Sequence, residues 1–153
     1  MQKITPFLWF DHQAEEAANH YVSIFKNGKI TGIHRRDGKV LTVTFELFGQ
    51  RFMALNGGPL FKFTEAISLF VDCETQEEVD ELWEKLLAGG SDGRCGWLKD
   101  KYGVSWQIIP RALMQMLSDP DPEKSNAVMQ AMLKMDKIVI DDLKRAHEGK
   151  PAA

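Results

Sequence analysis

The sequence predicts an α+β fold made of two βαβββ modules followed by a helical tail. Three observations point there: the chain repeats itself at a constant offset, each repeat sets a strand-like run before an amphipathic helix, and the residues after Pro110 read as helices and turns. The repeat is the strongest of these, because self-similarity at a fixed spacing reports architecture directly. Ala14–Phe25 (AEEAANHYVSIF) and Gln76–Leu87 (QEEVDELWEKLL) align at a shift of 62 residues. That shift lays Glu15-Glu16 on Glu77-Glu78, Tyr21 on Trp83, Ile24-Phe25 on Leu86-Leu87, and Gly28 on Gly90.

The elements follow in chain order. Ile4–Phe10 (ITPFLWF) reads as the first strand. Ala14–Phe25 then carries apolar residues at the i, i+3/i+4, i+7 spacing of a half-buried helix, with Glu15 and Glu16 in the first turn where the helix dipole favours acids. Strands are expected at Thr31–Arg35, Val40–Phe48 and Arg51–Leu55, the last two joined by a hairpin around Gly49-Gln50. Ala66–Val71 (AISLFV) opens the second module. Thr75, with Glu78 three residues on, is a capping box for the helix Gln76–Leu87, and Gly28 and Gly90 are natural helix stops. Arg94–Lys99 and Val104–Ile109 complete the module through an Asp100–Gly103 turn, so the modules occupy about 1–58 and 64–110.

Residues 111–153 form the helical extension. Asp121 caps a helix with Pro122 at its first position, running to Met135 with Val128, Met129, Met132 and Leu133 near one side. Asp141 is expected to cap a last helix ending at Gly149. Methionine-rich stripes usually fill irregular gaps, so this one is expected to pack on the sheet or on a second subunit rather than hold a ligand.

Composition bounds the function. The 153 residues suffice for a real core, and 44% hydrophobic with 27% charged residues is ordinary for a globular protein. A net charge of −3 with scattered basic residues argues against a nucleic-acid partner. No apolar run approaches the ~20 residues of a membrane span, and the N-terminal residues lack the pattern of a signal peptide, so the cytoplasm is expected. Cys73 and Cys95 have no C-x-x-C spacing; two reduced thiols are favoured, a disulfide being the alternative.

The chain resembles the PhnB-like branch of the vicinal-oxygen-chelate (glyoxalase/bleomycin-resistance) superfamily. The resemblance is carried by Pro6-Phe7-Leu8-Trp9-Phe10-Asp11, Ala54-Leu55-Asn56-Gly57-Gly58, Glu65-Ala66-Ile67-Ser68, Cys95-Gly96-Trp97-Leu98-Lys99-Asp100, Gly103-Val104-Ser105-Trp106-Gln107-Ile108 and, in the tail, Leu117-Ser118-Asp119-Pro120-Asp121-Pro122. It implies that the two modules lay their sheets side by side as one curved, cup-like mixed sheet with the site on the concave face. It also implies a second subunit. Around His34–Lys39 the chain is shorter than is common in the family, which would leave the pocket more open. Members are often labelled 3-demethylubiquinone-9 3-methyltransferases. That chemistry usually needs a glycine-rich turn leading from a strand into a helix, and the glycine clusters Gly57-Gly58 and Gly89-Gly90 instead end a strand and a helix.

Many members of the superfamily chelate a divalent ion through His and Glu. The matching positions here are at or next to Thr5 and Ala66, with Gln107 where the last-strand glutamate falls and Met53 as its first-module counterpart. None is a transition-metal ligand of the expected kind, and His12, His20, His34 and His147 show no paired spacing, so neither metal nor other cofactor is expected.

Strand alternation assigns the cup face. Leu8 and Phe10, Val43, Phe45 and Leu47, and Ile67, Leu69 and Val71 are expected against helices. Thr5, Phe7, Trp9, Thr42, Thr44, Glu46, Met53, Ala66, Ser68, Phe70, Trp97 and Gln107 then face the cavity, an aromatic pocket with a few polar handles. The alternative is that Trp9 and Trp97 are core and Glu46 lies on a solvated face. Asn56, ending a strand, binds either a ligand or the backbone of its own turn.

Two functions fit. One is a metal-independent small-molecule-binding protein of the bleomycin-resistance kind, gripping a planar or amphipathic ligand through Trp9, Thr44, Asn56, Ser68, Phe70, Trp97 and Gln107. The other is an enzyme acting on a small carbonyl or amide compound, with Glu46 as general base, since a carboxylate isolated in an apolar pocket suits proton abstraction. A homodimer is expected, with the Met-rich helix and an Ile138-Val139-Ile140 patch as interface.

Overall fold

Two tight turns set the register of the first sheet. Asp37-Gly38 and Phe48-Gly49 all hold positive φ, 53° and 77° in one pair and 50° and 77° in the other. Such pairs are what two-residue hairpins of the type I′ kind need, and glycine supplies the second position without strain. The structure, a computed structural model, describes residues 2–151. Its hairpins join β2 (Lys29–Arg36), β3 (Lys39–Leu47) and β4 (Gln50–Asn56), preceded by β1 (Phe7–Phe10) and α1 (Ala14–Ile24). The second turn is therefore centred one residue earlier than Gly49-Gln50, because Gly49 belongs at its second position.

The chain divides into two compact units, Met1–Thr64 and Glu65–Ala153. The first holds a four-stranded sheet in the order β1-β4-β3-β2, with β1 parallel to β4 and the other neighbours antiparallel. The second unit holds β5 (Leu69–Cys73), α2 (Gln76–Leu87), β6 (Ser91–Asp92), β7 (Trp97–Lys99) and β8 (Ser105–Pro110). Its sheet runs β5-β8-β7-β6, the same order of first, fourth, third and second strand. The sequence repeat is thus a repeat of βαβββ topology.

In the first unit α1 buries Ala14, Ala17, Ala18 and Tyr21. The facing strands bury Leu8, Phe10, Val43, Phe45, Leu47 and Ala54, and Phe45 stacks on Phe52 at 5.3 Å. The alanines let the helix lie close to the sheet, and each large apolar side chain so buried contributes roughly 1.5–3 kcal/mol. No side chain of Gln13 caps α1. The Ala14 N–H instead donates to Asn56 Oδ1 at 2.8 Å, from the end of β4.

In the second unit α2 buries Val79, Leu82, Trp83 and Leu86. The Glu78 N–H donates to Thr75 Oγ1 at 3.1 Å, while the Glu78 carboxylate turns back to accept the Glu74 N–H at 3.0 Å. β5 begins at Leu69, not Ala66, since Glu65 and Ala66 form a turn. Ile67 is 78% exposed, so the row against the helix is Leu69, Val71 and Cys73 and excludes it. The left-handed residue after α2 is Gly89, one before the expected stop.

The tail is three helices: α3 (Arg111–Leu117), α4 (Pro122–Met132) and α5 (Ile140–His147). Asp121 caps α4 through its carboxylate, which accepts the Glu123 N–H at 3.0 Å, with Pro122 at the first position. Asp141 lies inside the first turn of α5, whose Ile140 N–H donates to Gln76 Oε1 at 2.7 Å. Val128, Ile138 and Leu143 join Ile109 and Leu113 in one core, with Met116, Met132 and Met135 packed against it. The expected exposed patch at Ile138-Val139-Ile140 is therefore absent, because Ile138 and Ile140 are buried in their own unit.

Candidate functional site

The residues expected to face a ligand fall into lateral rows on each sheet. In the second unit Phe70 pairs with Gln107 and Gln107 with Trp97, so one row crosses β5, β8 and β7. Phe70 is 50% exposed, while Trp97 and Gln107 are half-buried. The Gln107 amide Nε2 donates to Ser68 Oγ at 2.8 Å, which fixes the amide between the two aromatic rings. Four of the expected site residues are thus brought together: Ser68, Phe70, Trp97 and Gln107. Their opposite neighbours Leu69, Trp106, Leu98 and Ile108 turn to the helix side, as strand alternation requires.

Asp100, which the sequence reading used only as part of a turn, holds the end of this sheet. Its buried carboxylate accepts the N–H groups of Tyr102 at 2.9 Å and Val104 at 3.0 Å, and the Trp106 indole N–H at 2.9 Å. The turn is therefore pinned to the strand that carries Gln107. An Asp two residues before an aromatic and six before a tryptophan is too loose a pattern to have revealed it.

In the first unit the rows are Phe7–Met53–Thr44–Gly32, Trp9–Leu55–Thr42–His34, and Arg51–Glu46–Lys29. The last of these bears on the proton-abstraction reading. Glu46 does not sit alone in apolar surroundings: the Lys29 ammonium lies 3.2 Å from its carboxylate and Arg51 is its partner on β4. Thr44 is half-buried between Met53 and Gly32. Trp9 is committed locally, its indole N–H donating to the Gly58 carbonyl at 3.0 Å and its ring meeting Phe61 edge-on at 4.9 Å. A Cβ on Gly57 would lie 2.4 Å from that ring, so only glycine admits it. Asn56 is committed too. Its carbonyl caps α1, and its amide donates to the Val40 carbonyl at 3.2 Å, which is the backbone role rather than the ligand-binding one.

Burial pushes the Cys73 thiol up to about 12, with Glu78 and Asp72 adding to the effect, so it stays a protonated core residue. Both cysteines are free, Cys73 buried and Cys95 half-buried. Among the described residues no three His, Cys, Asp or Glu side chains cluster as metal ligands. The positions at which the resemblance puts metal ligands carry no strong ones: Ala66 has no side-chain ligand atom, and Gln107 offers a neutral amide oxygen where a glutamate would bring a carboxylate. Among the same residues no helix is long and apolar enough to cross a membrane.

The family model for 3-demethylubiquinone-9 3-methyltransferase matches residues 2–109, leaving α3–α5 outside it. A PhnB protein from Bacillus cereus is 44% identical over 69% of this chain and 97% of its own, with a TM-score of 0.66. A protein from Pseudomonas aeruginosa shares the fold at 20% identity, covering 69% of this chain and 95% of its own, with a TM-score of 0.59. So does the fosfomycin resistance protein FosX from Listeria monocytogenes, solved with Mn(II) and a dihydroxypropylphosphonic acid, at 17% identity, 69% and 90% coverage and a TM-score of 0.51. No curated protein sequence matches the chain. On the family match and the Bacillus cereus likeness, the chain belongs to the PhnB-like 3-demethylubiquinone-9 3-methyltransferase family.

Proposed function

We propose that this protein binds a small planar or amphipathic molecule without a metal, on the Phe70–Gln107–Trp97 face of its second module. The observation that carries the reading is that row itself: two accessible aromatic rings flank a side-chain amide held by Ser68. Apolar walls with a small number of oriented polar groups are how proteins usually hold small ligands. The first-module residues contribute less, since Trp9 and Asn56 are engaged with backbone and Glu46 with Lys29. That engagement leaves the general-base reading without the isolated carboxylate on which it depends.

Methyl transfer is not part of this reading. β1 leads into α1 through Asp11-His12-Gln13 and β5 into α2 through Glu74-Thr75, so neither strand-to-helix turn offers the glycines that let a backbone approach a nucleotide-like cofactor. We further place the protein in the cytoplasm as a homodimer, with free thiols supporting the first point.

A tryptophan-fluorescence and thermal-shift screen of metabolites and aromatic antibiotics tests the reading. A saturable ligand is expected, its binding lost in Trp97→Ala and its affinity indifferent to chelator. Silence across a broad library, or a ligand that survives Trp97→Ala, would sink it.

A further inference from the structure

We propose that the aromatic row continues into an oxyanion subsite, built from Ser105 and Lys99, that selects ligands carrying a carboxylate, phosphate or phosphonate. This deepens the small-molecule reading above and rests on it. Next to the Phe70–Gln107–Trp97 row runs a second one, Ser105–Lys99–Ser91, across β8, β7 and β6. Both rows share a face, because Ser105 and Gln107 are two residues apart on β8 and Trp97 and Lys99 two apart on β7. A hollow of about 200 Å³ lies here, lined by Glu65, Ser91, Trp97, Lys99 and Ser105 among others.

Ser105 is the observation that points to a ligand. It is 2% exposed, it lines the hollow, and its hydroxyl has no hydrogen-bond partner among the described residues. A buried hydroxyl without a partner is costly, and such groups call for an explanation at the site they face. Lys99 supplies the charge. Its ammonium pairs with the Glu65 carboxylate, so an oxyanion already occupies that end of the hollow from within the chain. The two side chains are 39% and 61% exposed, and a pair so open to solvent holds weakly enough to be exchanged for a ligand's own oxyanion. Asp92, which also borders the hollow, pairs with Leu98 and so alternates to the other face, away from the Lys99 row. An incoming anion thus meets one ammonium and one hydroxyl donor, with the Trp97 ring beside them for an apolar body. Glu65 acts as a built-in competitor.

The test compares 2-naphthoate with its neutral isostere 2-naphthamide by calorimetry on the full chain. The acid is expected to bind about tenfold more tightly, the size of one charge-assisted hydrogen-bonding group. Lys99→Gln, a substitution at a partly exposed side chain, should erase that ratio while leaving the amide's affinity in place. Ser105→Ala should weaken the acid severalfold, and Glu65→Gln should tighten it. Equal affinity for acid and amide, or a ratio that survives Lys99→Gln, overturns the subsite while leaving the small-molecule reading standing, provided binding still needs Trp97. If neither probe binds, the subsite falls, and the small-molecule reading is decided by the library screen alone.

Discussion

Asp100 shows how much one side chain can organise. A carboxylate 3% exposed takes two backbone N–H groups and the Trp106 indole, closing the turn between β7 and β8 and fixing the strand that presents Gln107. Removing it takes away the acceptor these three donors share, at a net cost of about 1 kcal/mol each. Asp100→Ala should therefore lower stability by roughly 2–3 kcal/mol in urea unfolding, with binding at Trp97 weakened as the strand loosens. A change below about 0.5 kcal/mol, the range of an ordinary surface substitution, would mean the carboxylate does not pin the turn. Residue identities made some of this visible and some not. Alternation placed Phe70, Trp97, Gln107 and Thr44 on the right faces, because side-chain direction in a strand is a local property. It could not show that Glu46 meets Lys29 and Arg51. The Lys29 pairing depends on the register of β2, which slips at the irregularity between Ile30 and Gly32, and the Arg51 pairing on a hairpin turn at Phe48-Gly49 rather than Gly49-Gln50.

At the scale of elements, helix ends divide in the same way. The caps of α2 and α4 lie within three residues of the helix and were legible as Thr75 with Glu78 and as Asp121 with Pro122. The first N–H groups of α1 and α5 are met by Asn56, 42 residues away, and by Gln76, 64 residues away. No local pattern encodes such partners. β6 escaped notice because two residues carry no period, and β5 was begun too early because the alternation in AISLFV runs back through a turn. The tail has its own lock. The His147 ring nitrogen Nε2 lies 2.7 Å from Asp119 Oδ2, joining the end of α5 to the segment before α4. The Asp121 N–H and then His147 hold the Asp119 carboxyl below its usual range. A carboxyl depressed in the folded state binds fewer protons there than when unfolded, so its stabilisation is full above about pH 4 and is lost on further acidification. The protection of α5 amides against hydrogen exchange, taken relative to the intrinsic rate at each pH, should fall between about pH 4 and pH 3 in the native chain, and Asp119→Asn should show low protection at both. Identical pH responses in the two proteins would remove Asp119 from the account.

For the whole molecule, the repeat was read correctly because it recurs in topology as well as in sequence. The tail was left open between its own sheet and a second subunit, since a methionine stripe looks the same whether it meets a partner or its own core. Val128, Met132 and Met135 go to the core shared with Ile109, and of the large apolar residues described in the tail only Met114, Met129 and Leu133 stay exposed. The proposed dimer, with the ~800 Å² per subunit of a typical specific interface, would therefore have to draw mainly on surfaces other than the tail. Light scattering at micromolar concentration should give a dimer mass that Leu133→Glu leaves unchanged. A monomer would end the dimer proposal, and a dimer dissolved by Leu133→Glu would return the interface to the tail. The central claim concerns where a ligand sits, and a nitrogen-15 chemical-shift titration with the screened ligand addresses it most directly. The account predicts that the largest perturbations fall on the Trp97 indole N–H, the Gln107 side-chain amide and the Phe70 backbone. Perturbations confined to Trp9 and Thr44, or to α4 and α5, would contradict it.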